Sequence, residues 1–372
     1  MIEVLQPGIQ TSIQDSNPRH GLEHGVPQGG ASDLHAAQLA NIILGQSPSL
    51  PVLEITSSSF SIRFNQSARI SLTGGGMIWQ ISGVNDMPSN EHLSDIGDYS
   101  SRHIGSWREH SITAGTILTG RPTRPGFRSY LGITGGFQSQ EWLRSHSTEL
   151  RLHAGGSIHA LKKGDLLYPS TPVSSTNPRG SSTSREFTTS SGSNTSGSNT
   201  SHETNNPRGS NTSRGTNRKW HLSRDFTSYL HTNEIRIFPA PESNWFPENT
   251  LHELINHRWI ISRDSNRMGI RLEAGQINTQ QLNDKNLIST VVLPGTIQLT
   301  PSGPIILGPD AQTSGGYPRI AQICQYDLRI LAQKAPGDEI HLRWITLADA
   351  IDLRDQYQTE IRQLQNAIRL MH

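Results

Sequence analysis

The chain is cut every few residues by Gly, Pro, Asn or Ser, and the pieces between the cuts are short and rich in Val, Ile and Thr. Such pieces read as strands, with 60–64, 69–73, 129–134, 234–238, 259–262 and 296–300 the clearest. Few segments carry a helical period. One is 32–44, with apolar Leu34, Ala37, Leu39, Ala40 and Ile43; another is 318–332. A third helix begins at Thr346, where Thr346-Leu347-Ala348-Asp349 has the form of a capping box. Its apolar residues Ile361, Leu364, Ile368 and Met371 form one stripe, suited to packing on the chain's own core or on a second chain. This balance predicts a mainly β protein of barrels or sandwiches with short helices and a C-terminal helix, not a doubly wound α/β sheet. The strands at 69–73 and 130–134 both run into Thr-Gly-Gly, which leaves an internal repeat open.

Segment 170–219 interrupts this pattern. It is almost entirely Ser, Thr, Asn, Gly, Pro and Arg, with Val173 and Phe187 its only large apolar side chains. It contains near-copies, Asn177-Pro178-Arg179-Gly180-Ser181 and Asn206-Pro207-Arg208-Gly209-Ser210. Such a composition cannot bury enough apolar surface to offset its ordering entropy, so a disordered insertion is expected. The domains expected are therefore 1–169, the 170–219 insertion, and 220–372 with its terminal helix. Removing these 50 residues from 372 leaves 322, enough to bury a sizeable core.

The net charge of +1, from 32 basic and 31 acidic residues, provides no field to draw in nucleic acid or a membrane surface. The single cysteine, Cys324, excludes an internal disulfide and a cysteine-based metal site. Met1-Ile2-Glu3-Val4 does not open a signal peptide, and no apolar run reaches membrane-spanning length, so a cytoplasmic protein is expected. His20 and His24 lie in a Pro/Gly-rich loop rather than on one helix face, so no metal site is expected there. A phosphate-binding P-loop and a nucleophile elbow are both absent.

The densest polar motif is 294–318. Two strands meet at a Pro-Ser-Gly turn, and the second delivers Asp310, Gln312, Thr313 and Tyr317 onto a glycine-rich loop. With a helix expected at Pro318, the Gly315 and Gly316 amides are placed to hold an anion. Asp310 is suited to act as a base or to hold Mg²⁺. Gln312 and Tyr317 are suited to orient a polar substrate. The plain alternative is a tight β-to-α connection. A second motif, 262–273, offers Arg267 as a two-pronged clamp for a carboxylate or phosphate, or as one side of a surface ion pair. A third runs from Gln14-Asp15 to Ser32-Asp33 and on to Glu54. In it Ser32 or Asp33 is an N-cap candidate, which sets a structural reading of Asp33 beside a functional one.

Taken together, Gly295-Thr296-Ile297-Gln298, Pro301-x-Gly303-Pro304-Ile305 and Asp310-x-Gln312-Thr313-x-Gly315-Gly316-Tyr317-Pro318 resemble the hallmark of the KipA-like, biotin-dependent-carboxyltransferase-like family. Arg267-Met268-Gly269, Gln14-Asp15, Gly25-Val26-Pro27, Asp33, Leu53-Glu54 and Ser145-His146-Ser147-Thr148 agree with it. The family includes the C subunit of bacterial 5-oxoprolinase, allophanate hydrolase subunit 2 and part of urea carboxylase. The resemblance implies two cyclophilin-like β-barrel units in one chain. It implies a hydrolase component that works with the B and A subunits of 5-oxoprolinase in the ATP- and Mg²⁺-dependent opening of 5-oxo-L-proline to L-glutamate. It also implies a shared site in which Asp310, Gln312 and Arg267 are catalytic, while Gln298, Thr313, Gly315, Gly316, Tyr317 and Asp33 bind substrate or nucleotide. Two alternatives stand beside it: a biotin-dependent urea-degrading carboxyltransferase, and a regulatory binding protein. Departures fall in the N-terminal half. The family's Ser-Gly-Ala-Met-Asp reads Gly29-Gly30-Ala31-Ser32-Asp33 here, and its Ser-Arg-Ser-Thr reads Ser145-His146-Ser147-Thr148. That half of the site is expected to be altered.

Replacing 170–219 with a short Gly-Ser linker should leave the thermal midpoint unchanged within a degree or two. A drop of several degrees would show that the segment packs on the core.

Overall fold

The computed structural model describes residues 1–83, 101–170, 222–273 and 287–371. The expected insertion, 170–219, lies outside them apart from Ser170. The N-terminal half contributes β1 (Ile2–Gln6), β2 (Thr11–Gln14), α1 (Leu34–Ile43), β3 (Val52–Thr56), β4 (Phe60–Phe64), β5 (Ala68–Gly74) and β6 (Met77–Ser82). It continues through β7 (Ser101–Ile104), β8 (Arg108–Ile112), β9 (Ile117–Pro122), β10 (Arg128–Ile133) and β11 (Leu166–Leu167). These make a six-stranded sheet, β11-β1-β4-β9-β6-β7, and a five-stranded sheet, β2-β3-β10-β5-β8. Alternating apolar residues from both sheets meet in one core, among them Ile2, Phe60, Ile62, Leu72, Trp79 and Leu131.

The C-terminal half contributes β12 (Glu234–Pro239), α2 (Glu248–Asn256), β13 (Trp259–Ile261), β14 (Gly269–Glu273), β15 (Thr290–Val291) and β16 (Thr296–Thr300). It ends with β17 (Gly303–Leu307), β18 (Ser314–Gly315), β19 (Arg319–Ile323), α3 (Leu328–Ala332), β20 (Glu339–Trp344) and α4 (Leu347–Arg369). Seven of its strands close a barrel in the order β12-β19-β16-β17-β14-β13-β20. The closing pair, β12 with β20, is parallel; the other barrel pairs are antiparallel. Closure leaves no open barrel edge. The protein is thus mainly β, with few helices and a C-terminal helix, as the short punctuated runs predict.

The clearest predicted strands are present within one or two residues of their expected ends. The helix expected at 318–332 is a correction. Arg319–Ile323 is barrel strand β19, a 3₁₀ turn follows, and only Leu328–Ala332 is α-helical. Ile320, Ala321 and Ile323 are buried between β12 and β16, and pairing on both sides outweighs the local helical period. Helix α2 lies outside the helices that the sequence pattern predicts. The two Thr-Gly-Gly strands, β5 and β10, are antiparallel neighbours in one sheet. Among the described residues no helix is long and apolar enough to cross a membrane.

Both halves belong to one compact unit, and α1 joins them. One side of α1 lies on β5 and β10, where the Thr73 hydroxyl donates to Ala36 O at 2.7 Å. Its other side meets α3 and α4, so eight of its ten residues are buried. Helix α4 begins with the expected capping box. Thr346 Oγ1 accepts from Asp349 N at 3.1 Å, and Asp349 Oδ2 accepts from Thr346 N at 3.0 Å. Its stripe packs within the chain, with Ile361 and Ile368 buried.

At the junction of α1 and α4, His35 is buried between Tyr357 and Phe226. Phe226 O, 2.8 Å from Nε2, can only accept. Nε2 therefore carries the proton, and Nδ1 accepts from the Tyr357 hydroxyl at 3.1 Å. Burial, with Arg329 nearby, lowers the imidazole to about 3. The unfolded chain, titrating near the ordinary value of about 6.5, binds more protons between these limits. The stability that neutral His35 contributes is present in full above about 6.5 and fades as the pH falls toward about 3. We expect a loss of ~1.4 kcal/mol per pH unit below the upper limit from this group alone. Denaturant unfolding at pH 7 and pH 5 should show a steeper acid loss for the native chain than for His35→Gln. Equal slopes would remove His35 as the cause.

Candidate functional site

The site grows from one buried cation. Arg267 lies in the turn between β13 and β14, and its side chain is 4% exposed. All five of its N–H groups have partners. Nε and Nη2 donate to the two oxygens of Asp310 at 2.7 and 3.1 Å. Nη1 donates to Glu54 Oε1 at 2.6 Å and Ser32 Oγ at 2.8 Å, and Nη2 also donates to Gly30 O at 2.7 Å. Asp310 follows β17, Glu54 sits on β3, and Gly30 and Ser32 precede α1. One guanidinium thus ties the C-terminal barrel to two segments of the N-terminal half.

The backbone permits this because Gly308 lies against the Arg267 peptide. A Cβ at 308 would fall 2.1 Å from Arg267 O. Asp310 N and Gly308 N then donate to Arg267 O and Met268 O at 3.1 and 3.0 Å, which fixes the turn that aims the Asp310 carboxylate.

Glu54 is the second centre. Its Oε2 accepts from Ser32 N at 2.7 Å and from the Tyr130 hydroxyl at 2.8 Å. Burial pushes this carboxyl up, but Arg267 and Arg128, with the Ser32 and Tyr130 hydrogen bonds, outweigh it and hold the group below the usual carboxylate range. For Arg267, burial favours the neutral form, and Asp310 and Glu54 more than reverse it, so the guanidinium stays charged.

Asp33 lies beside this cluster, fully buried. Its Oδ1 caps α1 by accepting from Ala36 N at 3.0 Å, which realises the N-cap reading. Its Oδ2 accepts from the Tyr229 hydroxyl at 2.6 Å and from Gln333 Nε2 at 2.7 Å. Burial raises the Asp33 carboxyl, opposed by those hydrogen bonds. Gln333 also reaches β10, where its Oε1 accepts from Phe127 N and Arg128 N.

A third cluster fixes the loop between Asp15 and Ser32. Asp15 Oδ1 accepts from the Ser145 and Ser147 hydroxyls at 2.8 and 2.6 Å, and Oδ2 accepts from His146 N at 2.8 Å. Asp15 O accepts from Ala31 N, and Gly29 N donates across to Pro309 O at 2.9 Å. Loop 25–31 therefore runs alongside loop 308–313.

Above this frame the 310–318 loop divides. Asp310 is buried, a correction to its expectation as a loop carboxylate open to substrate or metal. Gln312, Ser314, Gly316 and Tyr317 are exposed, and Thr313 is half-buried. Gly315 is buried in β18 against β15. No helix follows Gly316, so the helix-terminal anion site expected there is corrected as well. Gln298, on β16, is 2% exposed and donates from Nε2 to Tyr317 O at 2.9 Å. The clamp expected of Arg267 is turned inward, with no donor left over for a ligand. Arg267 and Asp310 meet directly, Gln298 and Tyr317 meet, and Asp33 joins Arg267 only through Ser32 and Tyr130. The loop's exposed polar residues are thus Gln312, Ser314 and Tyr317, with Thr313 at their edge. His20 and His24 are both exposed.

Among the described residues no three of His, Cys, Asp and Glu are grouped to hold a metal ion. A cavity of about 220 Å³ lies beside the loop, lined by Phe238, Pro239, Val291, Leu293 and Arg319. It is largely apolar, and Arg319 is held by Glu242, so the polar chemistry lies at the loop rather than in this cavity.

Sequence reasoning missed Tyr130, Arg128, Tyr229 and Gln333, and it did not connect Glu54 with Arg267. Glu54 carried a signal. A carboxylate inside the buried run Val52–Thr56 needs a cation or several donors.

Residues 24–344 match the family described as carboxyltransferase domain, subdomain A and B. The chain is 31% identical over 367 residues to the C subunit of Escherichia coli 5-oxoprolinase, covering 98% of this chain and 97% of that one. It is 26% identical over 374 residues to the C subunit of Haemophilus influenzae 5-oxoprolinase, covering 99% of each. The crystal structure of the K. lactis urea amidolyase is similar with a TM-score of 0.74 and 25% identity, over 98% of this chain and 20% of that one.

Removing the guanidinium leaves Asp310 buried without its paired cation and Glu54 with Arg128 alone at 3.7 Å. Arg267→Met should therefore lower the unfolding free energy by about 3–5 kcal/mol. A loss below about 1 kcal/mol in denaturant unfolding would contradict the buried geometry.

Proposed function

This chain belongs to the carboxyltransferase domain, subdomain A and B, family, and on that premise we propose that it is the C subunit of a multi-subunit 5-oxoprolinase. The observation that carries the reading is the end-to-end likeness to the E. coli protein, at 31% identity with almost nothing left over in either chain. The reaction proposed is the ATP-dependent hydrolysis of 5-oxo-L-proline to L-glutamate. Water adds its hydroxyl to the ring carbonyl carbon, the C–N bond breaks, and the nitrogen gains a proton. An unstrained lactam resists this, and coupling to ATP supplies the activation.

In this reading the 310–318 loop faces the substrate. Gln312, Thr313 and Tyr317 offer neutral donors and acceptors suited to a lactam edge, with the exposed Gly316 backbone giving close approach. Arg267 and Asp310 hold the loop in place from beneath, Gln298 supports it, and Asp33 anchors the neighbouring helix. Both Asp310 oxygens accept from the Arg267 guanidinium, whose positive charge disfavours Mg²⁺ beside them. ATP and Mg²⁺ are therefore proposed to be held with the partner A and B subunits, and the loop is proposed to complete its site against the B subunit.

The urea amidolyase likeness favours a second reading, carboxyl transfer from carboxybiotin in a urea-degrading system. That likeness spans only a fifth of the other chain, which makes it the weaker of the two. The readings separate in one assay. With ATP and Mg²⁺, the purified chain alone should release no glutamate from 5-oxoproline, and the chain with its A and B partners should turn over. Turnover by the chain alone would refute the dependence on partners. An inactive full assembly that gains ATP-dependent carboxylation of urea when given a biotin carboxylase, a biotinylated carrier and bicarbonate would replace the first reading with the second.

A further inference from the structure

We propose that Gln298 is a positioning residue, which sets the Tyr317 end of the substrate-facing loop through the Tyr317 carbonyl and does not touch substrate itself. The assignment rests on the reading of 310–318 as that loop. Three observations carry it.

Gln298 occupies the middle of β16, and its side chain is almost wholly buried, at 2% exposure. A buried primary amide must find partners for its donors. Its Nε2 donates to Tyr317 O at 2.9 Å, which anchors the backbone of a residue that is itself 49% exposed. An amide so deep is poorly placed to reach a ligand, but it is well placed to hold the peptide that carries Tyr317.

The strand pairing is adapted to this contact. Along β16 and β19, Ile297 pairs with Ala321, but Gln298 pairs with Arg319, so one extra residue of β19 is accommodated opposite the Ile297–Gln298 step. A bulge of this kind turns the bulged strand and re-aims what precedes it. What precedes it here is Pro318 and Tyr317, and Leu299 N donates to Pro318 O at 3.1 Å just beyond.

Gly315 lies directly over the amide. A Cβ there would fall 2.6 Å from Gln298 Nε2 and 3.3 Å from its Oε1. The glycine therefore leaves room for the Gln298 side chain that holds Tyr317, and a methyl at 315 would push that amide off its carbonyl. Gly315 and Gln298 act on one contact, so their loss should not add.

The test uses Gln298→Leu, which keeps the bulk and removes the donor, together with Gly315→Ala and the double variant. Hydrogen exchange of the backbone amides of 312–317, the exchangeable part of 312–318, is measured on the purified chain, beside its melting temperature. Steady-state kinetics are measured on the chain assembled with its A and B partners. Each single variant should raise exchange in 312–318 by about fivefold to tenfold, the size expected for one net hydrogen bond. Exchange in β16 itself and the melting temperature should change little. KM for 5-oxoproline should rise by a similar factor, with kcat falling less, and the double variant should be no worse than the stronger single one. Unchanged exchange in 312–318, additive effects, or losses that merely follow a lowered melting temperature would each overturn the assignment. An unvaried assembly that does not turn over would instead count against the functional reading, and the exchange arm would still decide the role of Gln298.

Discussion

Burying Arg267 forces the arrangement around it. A guanidinium taken out of water is tolerated only if its charge is matched and each of its donors is received. Here Asp310 and Glu54 supply the opposing charge, Arg128 at 3.7 Å offsets the second carboxylate, and Ser32 and Gly30 receive the remaining donors. No single segment could supply all of these. The acceptors come from the loop after β17, from β3 and from the entrance to α1, so the barrel and the N-terminal sheets must meet at this point for the charge to be stable. Glu54 alone would be a costly carboxylate within a buried strand, and Asp310 alone would be drawn toward solvent. Each is settled by the same cation.

That arrangement divides the labour along the 310–318 loop. Its first residue is charged and locked inward, while the residues that follow are neutral and mostly face outward. A neutral outward face suits a ligand that is recognised by hydrogen bonds, and the fixed ion pairs beneath it hold the geometry without presenting charge to solvent. The same pattern continues around α1, where Asp33 is satisfied by Tyr229, Gln333 and Ala36 rather than by water. Helix α1 can be buried on nearly every side because its capping carboxylate is received by the other half.

What could be read from sequence follows from which forces are local. Strands such as Phe60–Phe64 and Thr296–Thr300 are stated by period and punctuation, and the Thr346 capping box is a contact between residues three apart. The segment after Pro318 reads as helix because its helical spacing is local, while its pairing with β12 and β16 is not. The site was legible as motifs but not as contacts. Asp310 and Arg267 stood out as unusual polar residues, yet their neighbours in sequence do not reveal that the two neutralise each other. Asp15 and the Ser145–Thr148 run belong to one cluster with 130 residues between them, and only the folded sheets bring them together. Gln333 carries no signal at all, since an isolated glutamine after a short helix reads as surface.

The departures from the family pattern fall at positions with different work to do. Where the family reads Met before the Asp, this chain has Ser32, whose hydroxyl accepts from Arg267 at 2.8 Å and donates to Glu54 Oε1 at 3.1 Å. A methionine offers no comparable acceptor, so this substitution adds a tie to the central cluster. Where the family reads Ser-Arg-Ser-Thr, the changed residue, His146, meets Asp15 through its backbone N–H, and that bond is indifferent to the side chain. The two serines that bind Asp15 through their hydroxyls are retained. At these two positions the frame uses a hydroxyl that methionine lacks and a backbone N–H that any non-proline residue supplies. In this chain the N-terminal half ties loop 25–31 to loop 308–313 through Gly29 N and Pro309 O, and ties Ser32 and Glu54 to Arg267, so the frame beneath the outward-facing loop is built from both halves.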